Sequence, residues 1–307
     1  MSYAQRLEDT HLARVFAGEP PGFYIDVGGG HPVADNVTYL FYLSGWRGIV
    51  VEPQRHLAGL YEHMRPRDVV IDDLVGAEPG EATFHSVEHF HGFSTTVAAH
   101  AATARELGAS VTTETRPVTT LAALCAVHAA ERIDLLKIDV EGAEGPVLAG
   151  NDWTRFRPRV VVVEAMAPGT MLPAWEGWEH GLVRQGYRFV FFDKLNRFYV
   201  AEEAAPLAAR FPPAPLAWDS VAHLWDFGRA PDRPDHPDHA LAKALLHGFF
   251  ASAPALDRNL LRQLMTRGTE RLSAEGQAVK PPNLDEDALT AALARIASMY
   301  DGGHLPG

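Results

Sequence analysis

Residues 133–144, IDLLKIDVEGAE, are an apolar strand that ends in three acidic side chains, Asp139, Glu141 and Glu144, with Gly142 among them to allow a tight turn. Carboxylates at the end of a buried strand require a reason, because a buried charge is costly unless something answers it. Upstream, FYIDVGGG (residues 23–30) repeats the plan, a strand running into an acid and then a glycine turn. Two such segments predict an open α/β sheet whose strand tips line a ligand crevice.

Working outward, GIVVEP (48–53) reads as a second strand, DVVIDDLVG (68–76) as a third and IDLLKID as the fourth. RVVVVEAM (159–166) is the fifth, a continuous β-branched run of the kind buried on both faces of a parallel sheet. Helical spacing is read over 4–17, 33–44, 56–64, 118–130 and 175–185, and ATFHSV (82–87) is an additional strand. Residues 88–116 are polar and are read as a loop and short helix over the site. YRFVFFD (187–193) and RFYVAEE (197–203), separated by KLN, form an antiparallel hairpin. The expectation is a doubly wound, Rossmann-like α/β sheet with one reversed edge strand. A dinucleotide-binding fold usually completes a second parallel half, whereas the methyltransferase variant ends in such a hairpin, so the hairpin favours the latter. Residues 1–205 are then one domain, the proline-rich stretch 206–238 a linker, and 239–307 a mainly helical extension with helices about 239–267 and 285–300.

The 307 residues include 47 % hydrophobic and 21 % charged side chains, an ordinary balance for a globular core. A net charge of −12 argues against an electrostatic nucleic-acid binder, and no basic block suits an anionic membrane. Cys125 is the only cysteine, which excludes an intramolecular disulfide and a cysteine-rich zinc site. The N-terminal MSYAQRLEDTHLARVF lacks the apolar core of a signal peptide, and no segment approaches the roughly 20 apolar residues of a membrane span. A cytoplasmic, reducing compartment is the expectation.

The first strand ends Asp26-Val27-Gly28-Gly29-Gly30-His31, where glycine lets the backbone approach a ligand. The dinucleotide fingerprint GxGxxG fails at Pro32 and Val33. Glu52, at the tip of the second strand, is placed like the acids that accept ribose hydroxyls. Glycine turn and ribose acid together signal a bound nucleoside without saying which. His31 is the best-placed histidine for a base, the plainer reading being a turn histidine. His89, His91, Ser94 and Thr95 lie on the polar loop, where they could hydrogen-bond a substrate.

The segments FYIDVGGGHPVADNVTYLFYLSGWRGIVVEP, VGAEPGEATFHSV, IDLLKIDVEGAEGPVLAG, RPRVVVVEAM and LNRFYVAEE closely resemble the FkbM family of S-adenosylmethionine-dependent methyltransferases. The likeness spans about residues 20–205, and KIDVEGAE is its most specific piece. Many members carry alanine-asparagine after the first glycine, where this chain has Gly29-Gly30. The resemblance implies that Asp26, Gly28 and Gly30 contact the methionine end of the cofactor, Glu52 the ribose, and Asp72 or Asp73 the adenine. Acidic strand tips also suit the cofactor's sulfonium and ammonium on physical grounds.

Methyl transfer is an in-line displacement, so the protein aligns the partners and removes the acceptor's proton. Two roles fit Asp139: general base for a hydroxyl, or, with Glu164 at the tip of strand five, ligand of a Mg²⁺ that acidifies the hydroxyl and grips two sugar oxygens. Glu141 would face the substrate; in the plainer reading it caps the turn and Glu144 is a solvated helix residue. The functional expectation is an O-methyltransferase acting on a hydroxyl of a sugar, in a glycan or glycosylated metabolite. The alternatives are a non-catalytic cofactor-binding scaffold and an NAD-dependent oxidoreductase. The C-terminal helices are read as a homodimerisation element.

Overall fold

In the computed structural model, which describes residues 1–87, 93–167, 170, 172–274, 277 and 284–300, the strands are Phe23–Val27 (β1), Arg47–Val51 (β2), Val69–Ile71 (β3), Leu74–Gly76 (β4), Gly80–Val87 (β5), Val111–Thr120 (β6), Leu135–Ile138 (β7), Val160–Glu164 (β8), Tyr187–Phe192 (β9) and Asn196–Ala201 (β10). Seven of them form the main sheet in the order β3-β2-β1-β7-β8-β10-β9. The first five in that order run parallel, and β10 runs against both β8 and β9. β1 and β8 are buried along their whole length, as a sheet covered on both faces demands. The strand order reverses between β1 and β7, so the crevice at their C-terminal ends is the switch point at which such sheets bind ligands.

Helices Glu8–Val15 (α1), Tyr39–Leu43 (α2), Arg55–Met64 (α3), Ala98–Glu106 (α4), Leu121–His128 (α5), Glu144–Ala149 (α6) and Glu179–Arg184 (α7) accompany the strands. The expected fold class holds, with corrections. The reversed strand is not the edge. Phe198, Tyr199 and Val200 of β10 are fully buried, whereas β9 exposes Arg188 and Phe189, so β10 takes the interior place and β9 the rim. The turn between them is set by Asp193, whose Oδ1 accepts the N–H groups of Leu195 (2.8 Å) and Asn196 (2.6 Å).

A second sheet, β4-β6-β5, was not expected. The segment VTTETRPVTT, expected as loop to 116 and as helix from 118, is a ten-residue strand that pairs antiparallel with β5 from Gly80↔Val118 to Val87↔Val111, and the helix begins only at Leu121. DVVIDDLVG is correspondingly two strands, since the chain leaves the main sheet at Asp72-Asp73 and enters the small one at Leu74. The helix expected over 33–44 shrinks to α2, because Asn36 and Thr38 before it give their side chains to a buried hydrogen-bond network.

The chain divides into two compact units, Met1–His223 and Leu224–Gly307. Leu207 and Phe211, in the proline-rich stretch, belong to the core of the first. The second contains Leu224–Phe227 (α8), His239–Ser252 (α9), Arg258–Ala274 (α10) and Glu286–Ala297 (α11). Its small core gathers Ala253, Leu261, Leu289 and Leu293. The continuous helix expected over 239–267 breaks at Pro254, which lacks the N–H a helix interior needs. No helix among the described residues is long and apolar enough to cross a membrane.

Candidate active site

The glycine turn after β1 is pinned from below. Gly28 and Gly29 both donate their N–H to the carbonyl of Val51, at 2.9 and 3.0 Å. Gly28 has φ +80°, and a Cβ there would sit 1.7 Å from the carbonyl oxygen of Asp139, so only glycine lets the tips of β1 and β7 meet. Gly30 has φ +58°, and a Cβ there would meet no described atom within 4 Å. The turn is closed at one end and open at the other, a cradle in which a ligand can approach the backbone.

Glu52 holds this turn. Its carboxylate is buried, accepting the Gly30 N–H through Oε2 (2.7 Å) and the Gln54 N–H through Oε1 (2.8 Å), and burial pushes its pKa up to about 7. The Gln54 side chain adds a third hydrogen bond, which leaves one lone pair of the carboxylate free. Asp26 lies beneath, with Oδ2 accepting from Thr38 Oγ1 at 2.7 Å and Oδ1 buried without a hydrogen-bond partner among the described residues. Its carboxyl is raised by burial, against the pull of Lys137 and Arg65. Asn36 and Tyr61 both donate to the carbonyl of Gly29, at 2.9 and 2.8 Å, and Arg65 ties Asn36 to Thr38. Asp26 therefore sits in the turn's foundation.

His31 accepts the N–H groups of Val33 (3.1 Å) and Ala34 (3.0 Å) on Nδ1, which is the geometry of a turn cap and places the proton of the neutral ring on Nε2. Asp72 is half exposed and bound to Arg116 at 3.3 Å, with Arg55 at 3.8 Å, at the corner where the chain changes sheets. Asp73 follows it at the same corner, part-buried.

On the other side of the switch point, Asp139 receives Lys137 Nζ on Oδ2 at 2.8 Å. Lys137 lies opposite Asp26 in the β1–β7 register, and its buried ammonium is held charged by Asp139, Asp26 and Glu164 against desolvation. The sequence reading passed over Lys137, although a lone charge inside LLKI, two residues before Asp139 on the same strand face, was a usable signal. Glu141 and Gly142 take φ +55° and +103°. Carboxylate oxygens of Asp139, Glu141 and Glu164 all lie within 4.8 Å of one another. Glu164 is 9 % exposed, and its Oε2 is buried with no hydrogen-bond partner among the described residues. Burial first, and then the neighbouring acids, raise Glu141 and Glu164 far above the usual carboxylate range.

The plainer reading of the turn is reversed. Glu144 is the cap, buried and accepting the Gly142 N–H at 2.9 Å and the Val140 N–H at 3.4 Å, whereas Glu141 joins the cluster. Ser94 Oγ accepts the Val87 N–H at 3.0 Å, and Thr95 Oγ1 donates to the Glu141 carbonyl at 2.8 Å, so both are engaged with the protein's own backbone. His100, unremarked in the sequence, approaches the same carbonyl at 3.0 Å. His89 and His91 lie outside the described residues.

Residues 26–189, a little over half of the chain, match the Methyltransferase FkbM domain. The chain belongs to the FkbM methyltransferase family. No curated protein and no solved structure matches it. The matched span of this methyltransferase begins at Asp26 and takes in the glycine turn, Glu52, the inserted sheet, Lys137 and all three clustered acids.

Proposed function

We propose that the protein is an S-adenosylmethionine-dependent O-methyltransferase whose acceptor is a hydroxyl of a sugar, in a glycan or a glycosylated metabolite. The observation that carries this is the convergence of Asp139, Glu141 and Glu164 beside the glycine turn at the switch point. The residues fit the cofactor: Gly30 leaves an open face, Glu52 has one lone pair left for a ribose hydroxyl, and the acids suit a cationic ligand. Bound there, S-adenosylmethionine supplies the electrophilic methyl group. Asp139 takes the acceptor's proton on Oδ1, since Lys137 occupies Oδ2 and fixes the carboxylate's direction. Carboxyl groups around the acceptor can hydrogen-bond the hydroxyls of a neutral polyol and disfavour phosphates and carboxylates.

The donor set also fits a hard divalent cation, three carboxylates of which one presents an orphaned buried oxygen. Mg²⁺ held by Asp139, Glu141 and Glu164 would lower the hydroxyl's pKa and engage a neighbouring hydroxyl. Calorimetry with S-adenosylmethionine and, in parallel, NAD tests the main claim; absence of S-adenosylmethionine binding removes it. A rate unaffected by EDTA removes the cation from the reaction.

A further inference from the structure

The carbonyl of Glu141 is gripped by two side chains from outside its own turn. Thr95 Oγ1 donates to it at 2.8 Å, and His100 Nδ1 lies 3.0 Å away. A carbonyl only accepts, so His100 carries a proton on Nδ1. Both residues come from the segment that follows β5. Thr95 is 1 % exposed and exchanges both backbone hydrogen bonds with His85 of β5, at 2.9 and 3.0 Å. Its hydroxyl also accepts the Val97 N–H at 2.9 Å, where the chain enters α4, and His100 stands in the first turn of that helix. The grip is thus anchored in the small sheet and in α4.

What it grips is a strained turn. Glu141 and Gly142 are successive left-handed residues, at φ +55° and +103°. A side chain at such a position is disfavoured and persists only where the surroundings over-determine it. The His100 ring closes the other side, since a Cβ on Gly142 would come within 2.5 Å of its Cε1. With the turn in this form, Glu141 brings a carboxylate oxygen within 4.8 Å of those of Asp139 and Glu164.

We propose that Thr95 and His100 are positioning residues, which hold the Glu141-Gly142 turn left-handed and thereby set the third carboxylate of the cluster. One of the two readouts below rests on the reading that this cluster takes a divalent cation; the other does not. The variants are Thr95→Val, His100→Ala, the double variant, and His100→Asn, whose amide N–H replaces the Nδ1–H. In metal-free protein, hydrogen exchange is followed in the peptide 139–147, where the Gly142 N–H bonds Glu144. The double variant is expected to exchange there at least about tenfold faster, with β1 and β2 peptides unchanged. Mn²⁺ affinity is expected to fall about 10–100-fold, while S-adenosylmethionine affinity stays within about twofold, and His100→Asn restores both readouts relative to His100→Ala. Unchanged exchange in the double variant overturns the proposal, as does an equal loss of Mn²⁺ and S-adenosylmethionine affinity. If the wild type itself takes up no Mn²⁺, the cation reading fails and the exchange measurement decides the positioning claim alone.

Discussion

Gly28→Ala and Gly30→Ala add one methyl group to the same turn, and the structure separates their consequences. Both glycines are left-handed, at φ +80° and +58°, so each alanine carries a penalty of about 1–2 kcal/mol. At Gly30 no described atom lies within 4 Å of the new carbon, and the fold loses only that amount. At Gly28 the carbon would lie 1.7 Å from the Asp139 carbonyl oxygen, far inside the roughly 3.5 Å at which non-bonded atoms rest. The tips of β1 and β7 must part, giving up the 2.9 Å bond from the Asp139 N–H to Val27, which is worth about 1 kcal/mol. The paired N–H groups on Val51 are strained as well. The total for Gly28→Ala is about 3–5 kcal/mol. At about 2–4 °C per kcal/mol for a unit of this size, Gly28→Ala melts about 6–20 °C below wild type, and Gly30→Ala about 2–8 °C below. Binding has the opposite signature. The Gly30 methyl projects into the open end of the cradle, so S-adenosylmethionine affinity falls about tenfold or more although the protein stays folded, and about 1.4 kcal/mol of lost contact suffices for that. Urea or thermal denaturation with calorimetry measures both. Equal destabilisation of the two variants, or wild-type affinity in Gly30→Ala, refutes the reasoning.

Asp139→Asn lowers turnover about 10²–10⁴-fold with S-adenosylmethionine affinity unchanged, measured as S-adenosylhomocysteine release with a sugar acceptor in hand; an unchanged rate points instead to a non-catalytic scaffold. Lys137→Met leaves Asp26 and Asp139 without their shared cation and destabilises by about 3 kcal/mol at pH 8; a loss below about 1 kcal/mol at pH 8 would show that the lysine is not their counter-charge. The buried acids make ligand-free stability fall as pH rises. Glu52 is pushed to about 7, and Glu141 and Glu164 rise with it, so the folded state holds protons that the unfolded chain gives up. Their stabilisation is complete below about pH 4.5 and is lost as pH climbs through 7 and beyond. His11, pulled by burial to about 4, works the other way below pH 6.5, but Glu8 and Asp193, raised by burial to about 8 and about 6, act with the three acids against it. Thermal melts at pH 5 and pH 9 check this, and greater stability at pH 9 contradicts it.

What could be read from the sequence follows its apolar runs. FYIDV, RVVVVE and IDLLKI announce buried parallel strands because nothing else buries so many β-branched residues in a row. The inserted sheet stayed hidden because β6 is a threonine-rich strand with a single buried residue, without the alternation that marks a half-buried strand. The acids were legible as a patch at a strand tip. Which of them turned inward was not, because it depends on the φ angles of Glu141 and Gly142 and on a hold from Thr95 and His100, some forty residues upstream. One histidine among 15 carries no mark of such a role.

Asp139, Glu141 and Glu164 converge beside Lys137, which is already committed to Asp139 and Asp26. Without a ligand, the surplus negative charge is relieved by protons, which is why Glu141 and Glu164 are raised. A cation bound by these oxygens must displace those protons, so binding near neutral pH releases acid, and affinity rises about tenfold per pH unit for each proton displaced. Calorimetric titration of Mn²⁺ in two buffers of different ionisation enthalpy counts the protons directly. The expected number at pH 7 lies between about one and two, and it drops by about one in Glu164→Gln. Mn²⁺ binding with no proton release would place the ion elsewhere and leave the three acids as a site for the acceptor alone.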